Sequence, residues 1–92
     1  MSFEWDENKR QTNIAKHGID FVDVLDLFDA GNTVTFEDNR EDYGEQRFVL
    51  LGFFGEKLFH IVFTIRGDVT RIISARRATR LERKLYDRFK NY

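Results

Sequence analysis

The chain has 92 residues, a formal net charge of −1 and no cysteine. This length suits one domain, residues 1–92, and excludes a second. The lack of cysteine excludes a disulfide framework and a cysteine zinc site. No apolar run approaches the roughly 18–20 residues of a membrane-spanning helix, and the opening Met1–Asp6 lacks the pattern of a secretion signal. We therefore expect a soluble, cytoplasmic protein with no membrane partner, metal ion or cofactor.

Charge is divided unevenly along the chain. Residues 66–92 carry nine Lys/Arg and three acids, a net of +6, so residues 1–65 carry −7. Such asymmetry is typical of a protein that binds a polyanion on its basic part. Solvated surface charges without a partner explain this feature equally well when it is taken alone.

Two helices are predicted at the start of the chain. The first covers roughly residues 7–17, with Asp6 as its N-cap and Gly18 in the left-handed position after it. The second covers roughly residues 20–30. Its apolar residues recur at i, i+3, i+4 and i+7, which is the spacing of one helical face: Phe21, Val24, Leu25 and Phe28.

Four strands are predicted next, joined in part by short turns that contain glycine, which favours antiparallel hairpins. In the last strand, regular alternation puts Arg71 and Ile73 on one face, and Ile72, Ser74 and Arg76 on the other. The predicted strands are Thr33–Glu37, Arg47–Phe54, Leu58–Ile65 and Val69–Arg76.

A final helix is predicted from about Thr79 to the C-terminus. Thr79 and Glu82 have the spacing of a capping box. Leu81, Leu85 and Phe89 form one apolar stripe, with Tyr86 beside it. The predicted fold class is therefore α+β, with two N-terminal helices, a four-stranded antiparallel sheet and a C-terminal helix.

Four arginines lie around the last predicted turn and strand: Arg66, Arg71, Arg76 and Arg77. The guanidinium group is permanently charged and forks onto phosphate oxygens. We expect these side chains to close around one backbone phosphate. The alternative is that Arg71 or Arg76 pairs with a carboxylate such as Glu45 or Glu82, since structural ion pairs are common.

Proton transfer could be served by residues outside this cluster. Neutral His17, beside Lys16, can accept a proton near pH 7, although a histidine at a helix end is also common as a partner of free carbonyls. Glu45 is a second candidate base, and Tyr43 could stack on a nucleobase. A flexible charged loop explains both residues as well. His60 lies in an apolar strand, where we expect a buried, hydrogen-bonded side chain.

The order of several segments resembles the BrnT family of toxins over nearly the whole chain. The family often has proline where Glu7 stands and an acid before Arg66, where this chain has Ile65; the latter departure removes a possible partner of Arg66. The matching segments are Phe3–Lys9, Asn13–Ile19 with Phe21, Glu45–Arg47 with Gly52, and Arg71–Thr79 with Glu82, Arg83 and Tyr86.

This resemblance implies a RelE-like fold, RNA cleavage that stops translation, and neutralisation by a BrnA-type antitoxin. That antitoxin is a DNA-binding protein, and the complex would repress its own operon, with the toxin reaching operator DNA only through it. A non-catalytic RNA-binding module and a protein-interaction domain using the apolar Phe48–Ile65 hairpin are the alternatives.

The resulting hypothesis is a metal-independent endoribonuclease that uses the RNA 2′-hydroxyl as nucleophile. Its residues fall into a catalytic and an RNA-binding set. The catalytic set is Lys16, His17, Glu45, Arg66, Arg76 and Arg77, and the RNA-binding set is Arg47, Arg71, Arg80, Arg83 and Tyr86.

Overall fold

A five-stranded mixed sheet forms the centre of the computed structural model, which describes residues 1–91. The α+β class is confirmed, and none of the described helices is long and apolar enough to cross a membrane. The spatial order of the strands is β1-β5-β4-β3-β2. The elements are β1 (Ser2–Trp5), α1 (Glu7–His17), a 3₁₀ helix (Phe21–Asp29), β2 (Val34–Asp38), β3 (Arg47–Phe54), β4 (Lys57–Arg66), β5 (Val69–Arg77) and α2 (Arg80–Lys90).

The prediction of a four-stranded, purely antiparallel sheet is wrong because β1 is a fifth strand. β1 pairs in parallel with β5, with Ser2 opposite Val69 and Trp5 opposite Ile72. Four residues are too few for alternation to indicate a strand on their own. The alternating Phe3 and Trp5 do pack against the core, as a strand with one buried face requires. β5 is consequently an internal strand over these residues.

The two predicted hairpins are confirmed, and the strand bounds agree within one residue. Two-residue turns join β3 to β4 and β4 to β5, with Gly55 at φ 65° and Gly67 at φ 60°. A positive φ at the first turn residue but not at the second, Glu56 or Asp68, belongs to the type II′ turn, whose twist matches that of antiparallel strands. Glycine adopts this conformation without a steric cost.

The second predicted helix exists but is a 3₁₀ helix. It buries Phe21, Val24 and Leu27, which are spaced three residues apart. A 3₁₀ helix has three residues per turn, so this spacing makes one straight stripe. The expected α-helical face is therefore wrong at its edges, where Leu25 and Phe28 are only partly buried.

Two hydrophobic layers lie on opposite faces of the sheet. One packs the 3₁₀ helix on residues such as Ile61 and Ile72; we call this side the 3₁₀ face. The other packs α2 on the sheet through Tyr86 and is called the α2 face. The capping box of Thr79 and Glu82 is confirmed. The end of the predicted last helix, Tyr92, lies outside the described residues.

The apolar stripe predicted for the last helix is only partly buried. Tyr86 is the residue of α2 that the fold buries, and its hydroxyl donates to Asn32 O at 2.6 Å. Leu81 is 76% exposed and Phe89 is 48% exposed. The helix is thus rotated so that its buried face is centred beside, and not on, the predicted stripe.

A β-bulge in β5 changes which of its side chains share a face. Val62 of β4 pairs with Ser74 and the next residue, Phe63, pairs with Ile72, so Ile73 has no residue opposite it. An extra residue shifts the alternation by one. The predicted separation of Arg71 from Arg76 is therefore wrong, since both lie on the α2 face together with Ser74.

Candidate functional site

A pocket opens at the edge of β5 where β1 ends. β1 pairs with the edge of β5 as far as Ile72. Further along this edge, at Ala75, the side chain of Asn13 from α1 forms the hydrogen bonds instead. The Asn13 amide donates to Ala75 O at 2.8 Å, and Ala75 N donates to Asn13 Oδ1 at 3.1 Å, as a paired strand would. Between these two contacts, Ile73 and Ser74 line a pocket of about 340 Å³.

One face of α1 supplies the basic side of this pocket. Lys9, Asn13 and Lys16 have the i, i+4 and i+7 spacing of one helical face, and all three line the pocket together with His17. Asp6, also at the pocket, already accepts hydrogen bonds from the amides at the start of α1. The ion pairs among residues 1–91 do not involve the two lysines or His17. The pocket therefore carries positive charge that an anion can neutralise.

Arg76 lies close to this pocket along β5. It lies two residues after Ser74 on the same face, so their Cα atoms are about 7 Å apart. Its Nη1 and Nη2 each donate to a Glu82 carboxylate oxygen at 2.8 Å. This end-on pair leaves Nε–H and one N–H of Nη2 unused by Glu82. These two donors form the side fork that fits a phosphate.

Arg71 and Arg77 lie before and after this region of β5. Arg71 is on the α2 face and donates from Nη1 to Glu4 Oε2 at 2.7 Å. Arg77 pairs with Phe59, whereas Arg76 pairs with His60. Successive residues of a strand point to opposite faces, so Arg77 leaves the backbone on the 3₁₀ face. It does not join Arg76 over one surface.

A second charged group lies near the turn that joins β4 to β5, at the end of the hairpin away from Arg76. Arg66 Nη2 donates to Glu45 Oε1 at 3.1 Å, and Arg47 Nε donates to Glu45 Oε2 at 3.4 Å. The guanidinium carbon of Arg47 lies 4.1 Å from the centre of the Tyr43 ring. The hydrogen bond from Arg66 lowers the pKa of Glu45, so this carboxylate is a weak proton acceptor.

The structure does not bring the four arginines around one phosphate. His60, the partner of Arg76, is six residues from Arg66 along β4, which is roughly 20 Å. Arg66, Arg71 and Arg76 are each paired with a carboxylate. The four arginines are thus dispersed: Arg76 lies beside the pocket, Arg66 at the far end of the sheet with Arg71 between them, and Arg77 on the other face.

A comparison with protein families identifies the class of protein that carries this geometry. A family model described as the ribonuclease toxin BrnT of type II toxin–antitoxin systems matches residues 5–82. The chain belongs to the BrnT family. The resemblance found in the sequence is confirmed. The family is one of ribonuclease toxins, and its type II class implies a protein antitoxin and an RNA substrate. No curated protein matches the chain.

In this BrnT chain the predicted RNA-binding residues of α2 are separated. Arg77, Arg80 and Arg83 line a hollow of about 270 Å³ at the start of the helix. Arg83 also lies over the Phe53 ring, with its guanidinium carbon 4.9 Å from the ring centre. Tyr86 is buried and contacts the same ring edge-on, so its ring is not presented to a nucleobase.

Sequence reasoning missed that Glu82 connects Arg76 to a buried histidine. His60 is 3% exposed, and its Nε2 lies 3.4 Å from Glu82 Oε2. Burial, followed by the charge of Arg76, lowers the pKa of His60. The histidine is therefore neutral at pH 7, and this contact is not an ion pair. The expected burial is confirmed, but Nδ1 has no hydrogen-bond partner within the described chain.

Glu82 itself is held as a carboxylate. Burial raises its pKa, but hydrogen bonds from Arg76 and from the Thr79 amide outweigh this and bring it to about 2. The capping box thereby fixes the group that orients Arg76. Thr79 and Glu82 were recognised as a cap, yet the spacing of a cap does not reveal a second partner six residues upstream.

Two residues of the pocket, Lys9 and Asn13, were also missed. The signal that could have found them is the shared face of Lys9, Asn13 and Lys16 on α1. A polar face is ordinary on a surface helix, so this pattern alone does not indicate a site. It does so only when the structure shows β5 opposite this face of α1.

Proposed function

We propose that this BrnT toxin is a metal-independent endoribonuclease whose active site is the pocket between α1 and β5. The observation that supports it is the meeting of Lys16 and His17 with Ser74 in one pocket, with Arg76 next along the same face. RNA cleavage by its own 2′-hydroxyl needs a proton acceptor, a proton donor and cations around the phosphate. This pocket contains side chains of each kind.

The proposed reaction is an internal transesterification. The His17 imidazole takes the proton of the 2′-hydroxyl as the oxygen attacks the adjacent phosphorus. The bond from phosphorus to the 5′-oxygen breaks, and the Lys16 ammonium gives that oxygen its proton. The products are a 2′,3′-cyclic phosphate and a 5′-hydroxyl. Imidazole and ammonium can perform these steps because their protonation states at neutral pH suit an acceptor and a donor.

Arg76 stabilises the negative charge that builds on the phosphoryl oxygens. Glu82 holds the guanidinium end-on, so the side fork is oriented before RNA arrives. Donors that are held in place before the reaction stabilise the transition state most, because they need no reorganisation when the charge develops. Arg71 extends the same face, while Arg66 and Arg47, both held by Glu45, bind the RNA strand away from the scissile phosphate. Arg77, Arg80 and Arg83 contact RNA from the hollow at the start of α2.

The test compares Arg76→Ala with the matched surface variant Arg88→Ala on a labelled RNA. We expect Arg76→Ala to slow cleavage by at least about 100-fold, the loss typical of a transition-state donor, and Arg88→Ala to remain within about threefold. Arg76→Lys, which keeps the charge but not the fork, should resemble Arg76→Ala. Removing Arg76 leaves Glu82 partly buried and without its main partner, which can destabilise the fold. Thermal melting is therefore used to check that each variant is folded.

Three outcomes would count against this function. Equal losses in both alanine variants would indicate diffuse charge. Loss of cleavage in EDTA would exclude the metal-independent reaction. Intact RNA ends, together with salt-sensitive binding, would indicate a module that blocks translation by occupancy.

The toxin's regulation is part of the same proposal. A BrnA-type antitoxin would neutralise it, and the complex would repress its operon through DNA contacts of the antitoxin alone. Support comes from the type II class of the family. In a gel-shift assay, operator DNA should bind the complex and the antitoxin but not the isolated toxin; a shift by the toxin alone would contradict this.

A further inference from the structure

The outer face of α2 exposes apolar surface that the fold does not use. Leu81 is 76% exposed and Phe89 is 48% exposed. Leu85 lies one turn after Leu81 and is only partly buried. Leu81 and Leu85, together with Lys84 and Arg88, line a shallow groove of about 190 Å³. This groove shares no residue with the pocket beneath α1.

The same face is basic. α2 contains five Lys/Arg and two acids, and both acids are already engaged: Glu82 with Arg76 at 2.8 Å, and Asp87 with Arg83 at 3.3 Å. Among residues 1–91, no ion pair involves Lys84 or Arg88. The groove therefore presents leucine side chains flanked by cations without a carboxylate partner.

We propose that this outer face of α2 is the docking surface for an acidic, amphipathic helix of a partner protein. In a type II toxin the antitoxin would supply that helix. Glutamate or aspartate would neutralise Lys84 and Arg88, while apolar residues would cover Leu81 and Phe89. Leu81 and Phe89 are eight residues apart, about 12 Å along the helix axis, so two to three turns of the partner suffice.

The two other occupants fit less well. A second copy of this chain would place Lys84 and Arg88 against the same residues of its neighbour, and like charges across an interface oppose association. RNA would neutralise the cations but would leave Leu81 and Phe89 in water. The inference goes beyond the nuclease proposal because it uses no residue of the active site.

The probe is a synthetic 20-residue helical peptide with leucine at i, i+4 and i+7 spacing and glutamate on the flanking positions. Its fluorescence anisotropy is followed on titration with the toxin. We expect Leu81→Asn and Lys84→Glu each to weaken binding at least tenfold. Val22→Asn is the matched control, because Val22 is 51% exposed on the 3₁₀ helix; binding should stay within twofold. A peptide with lysine in place of every glutamate should not bind.

The outcomes separate the possible occupants. Equal binding to wild type and Leu81→Asn, or equal binding of the lysine peptide, would overturn the proposal. A toxin dimer in sedimentation that Leu81→Asn abolishes would assign the face to a second copy. A loss of affinity for single-stranded RNA in Leu81→Asn would assign it to RNA. Cleavage of RNA by Leu81→Asn at the wild-type rate would show that the active site is untouched.

Discussion

Asn13 makes the contact on which both the fold and the pocket depend, and replacing it by alanine tests this directly. The side chain is 5% exposed and donates to Ile19 O and Ala75 O, each at 2.8 Å, while it accepts from Ala75 N at 3.1 Å. Asn13→Ala removes all three hydrogen bonds. It leaves the amide and carbonyl of a buried residue, Ala75, without partners.

The expected destabilisation follows from those orphaned groups. A buried polar group without a partner costs about 1–3 kcal/mol, and the neighbouring pocket lets water satisfy part of the loss. We therefore expect about 2–4 kcal/mol out of a total of about 5–14 kcal/mol for a chain of this length. In a small domain this lowers Tm by at least about 8 °C.

Urea unfolding followed by circular dichroism measures the change. Asn8→Ala is the control, because Asn8 is an exposed residue of the same helix. Asn13→Asp keeps the acceptor for Ala75 N–H but points an oxygen at two carbonyls, so it should be at least as unstable as Asn13→Ala at pH 7. A loss below about 1 kcal/mol in Asn13→Ala, or one equal to that of Asn8→Ala, would refute the role of this contact.

Three further predictions concern stability. Gly52→Ala should destabilise by about 1–3 kcal/mol in urea unfolding, because a Cβ would lie 2.8 Å from Thr33 Cγ2, whereas Gly31→Ala meets nothing within 4 Å and should be neutral. The pKa of His60 is lowered in the folded protein, so the unfolded chain binds a proton at this residue at higher pH than the folded one does. The free energy of unfolding should therefore fall as the pH drops below 6.5. In unfolding experiments at pH 7.5 and 5.5, His60→Gln should show a smaller difference between the two pH values than the wild type. Glu82, with a pKa of about 2, contributes stability above pH 4.5 that is lost between pH 4.5 and 2; Glu82→Gln should lack that loss, and an unchanged acid profile would contradict the assignment.

Local patterns were sufficient to predict most elements of the fold. Asp6 and Gly18 delimit α1, and their roles depend only on neighbouring backbone groups. The glycines of the two hairpin turns are equally local. β1 was not predictable in this way, because its pairing with β5 depends on residues 67 positions away. The 3₁₀ form of the second helix also escaped, since Phe21, Val24 and Phe28 satisfy both helical spacings in part.

The candidate site was only half predictable for the same reason. Composition and residue type pointed to Lys16, His17 and the arginines. Which of these meet is decided by a bulge at Ile73, and no sequence pattern marks the bulge. It puts Arg71 and Arg76 on one face, while the length of β4 separates Arg66 from them. The sequence therefore predicted which charged residues are present, but not which of them lie together in the fold.

The pairing of β1 with β5 also sets when the pocket can form during synthesis of the chain. A ribosome makes residues 2–5 well before residues 69–77. Until those later residues emerge, β1 has no neighbour and Asn13 lacks the Ala75 backbone, so the pocket cannot form. Formation of the pocket is therefore a late, long-range step of folding that the N-terminal elements cannot complete alone.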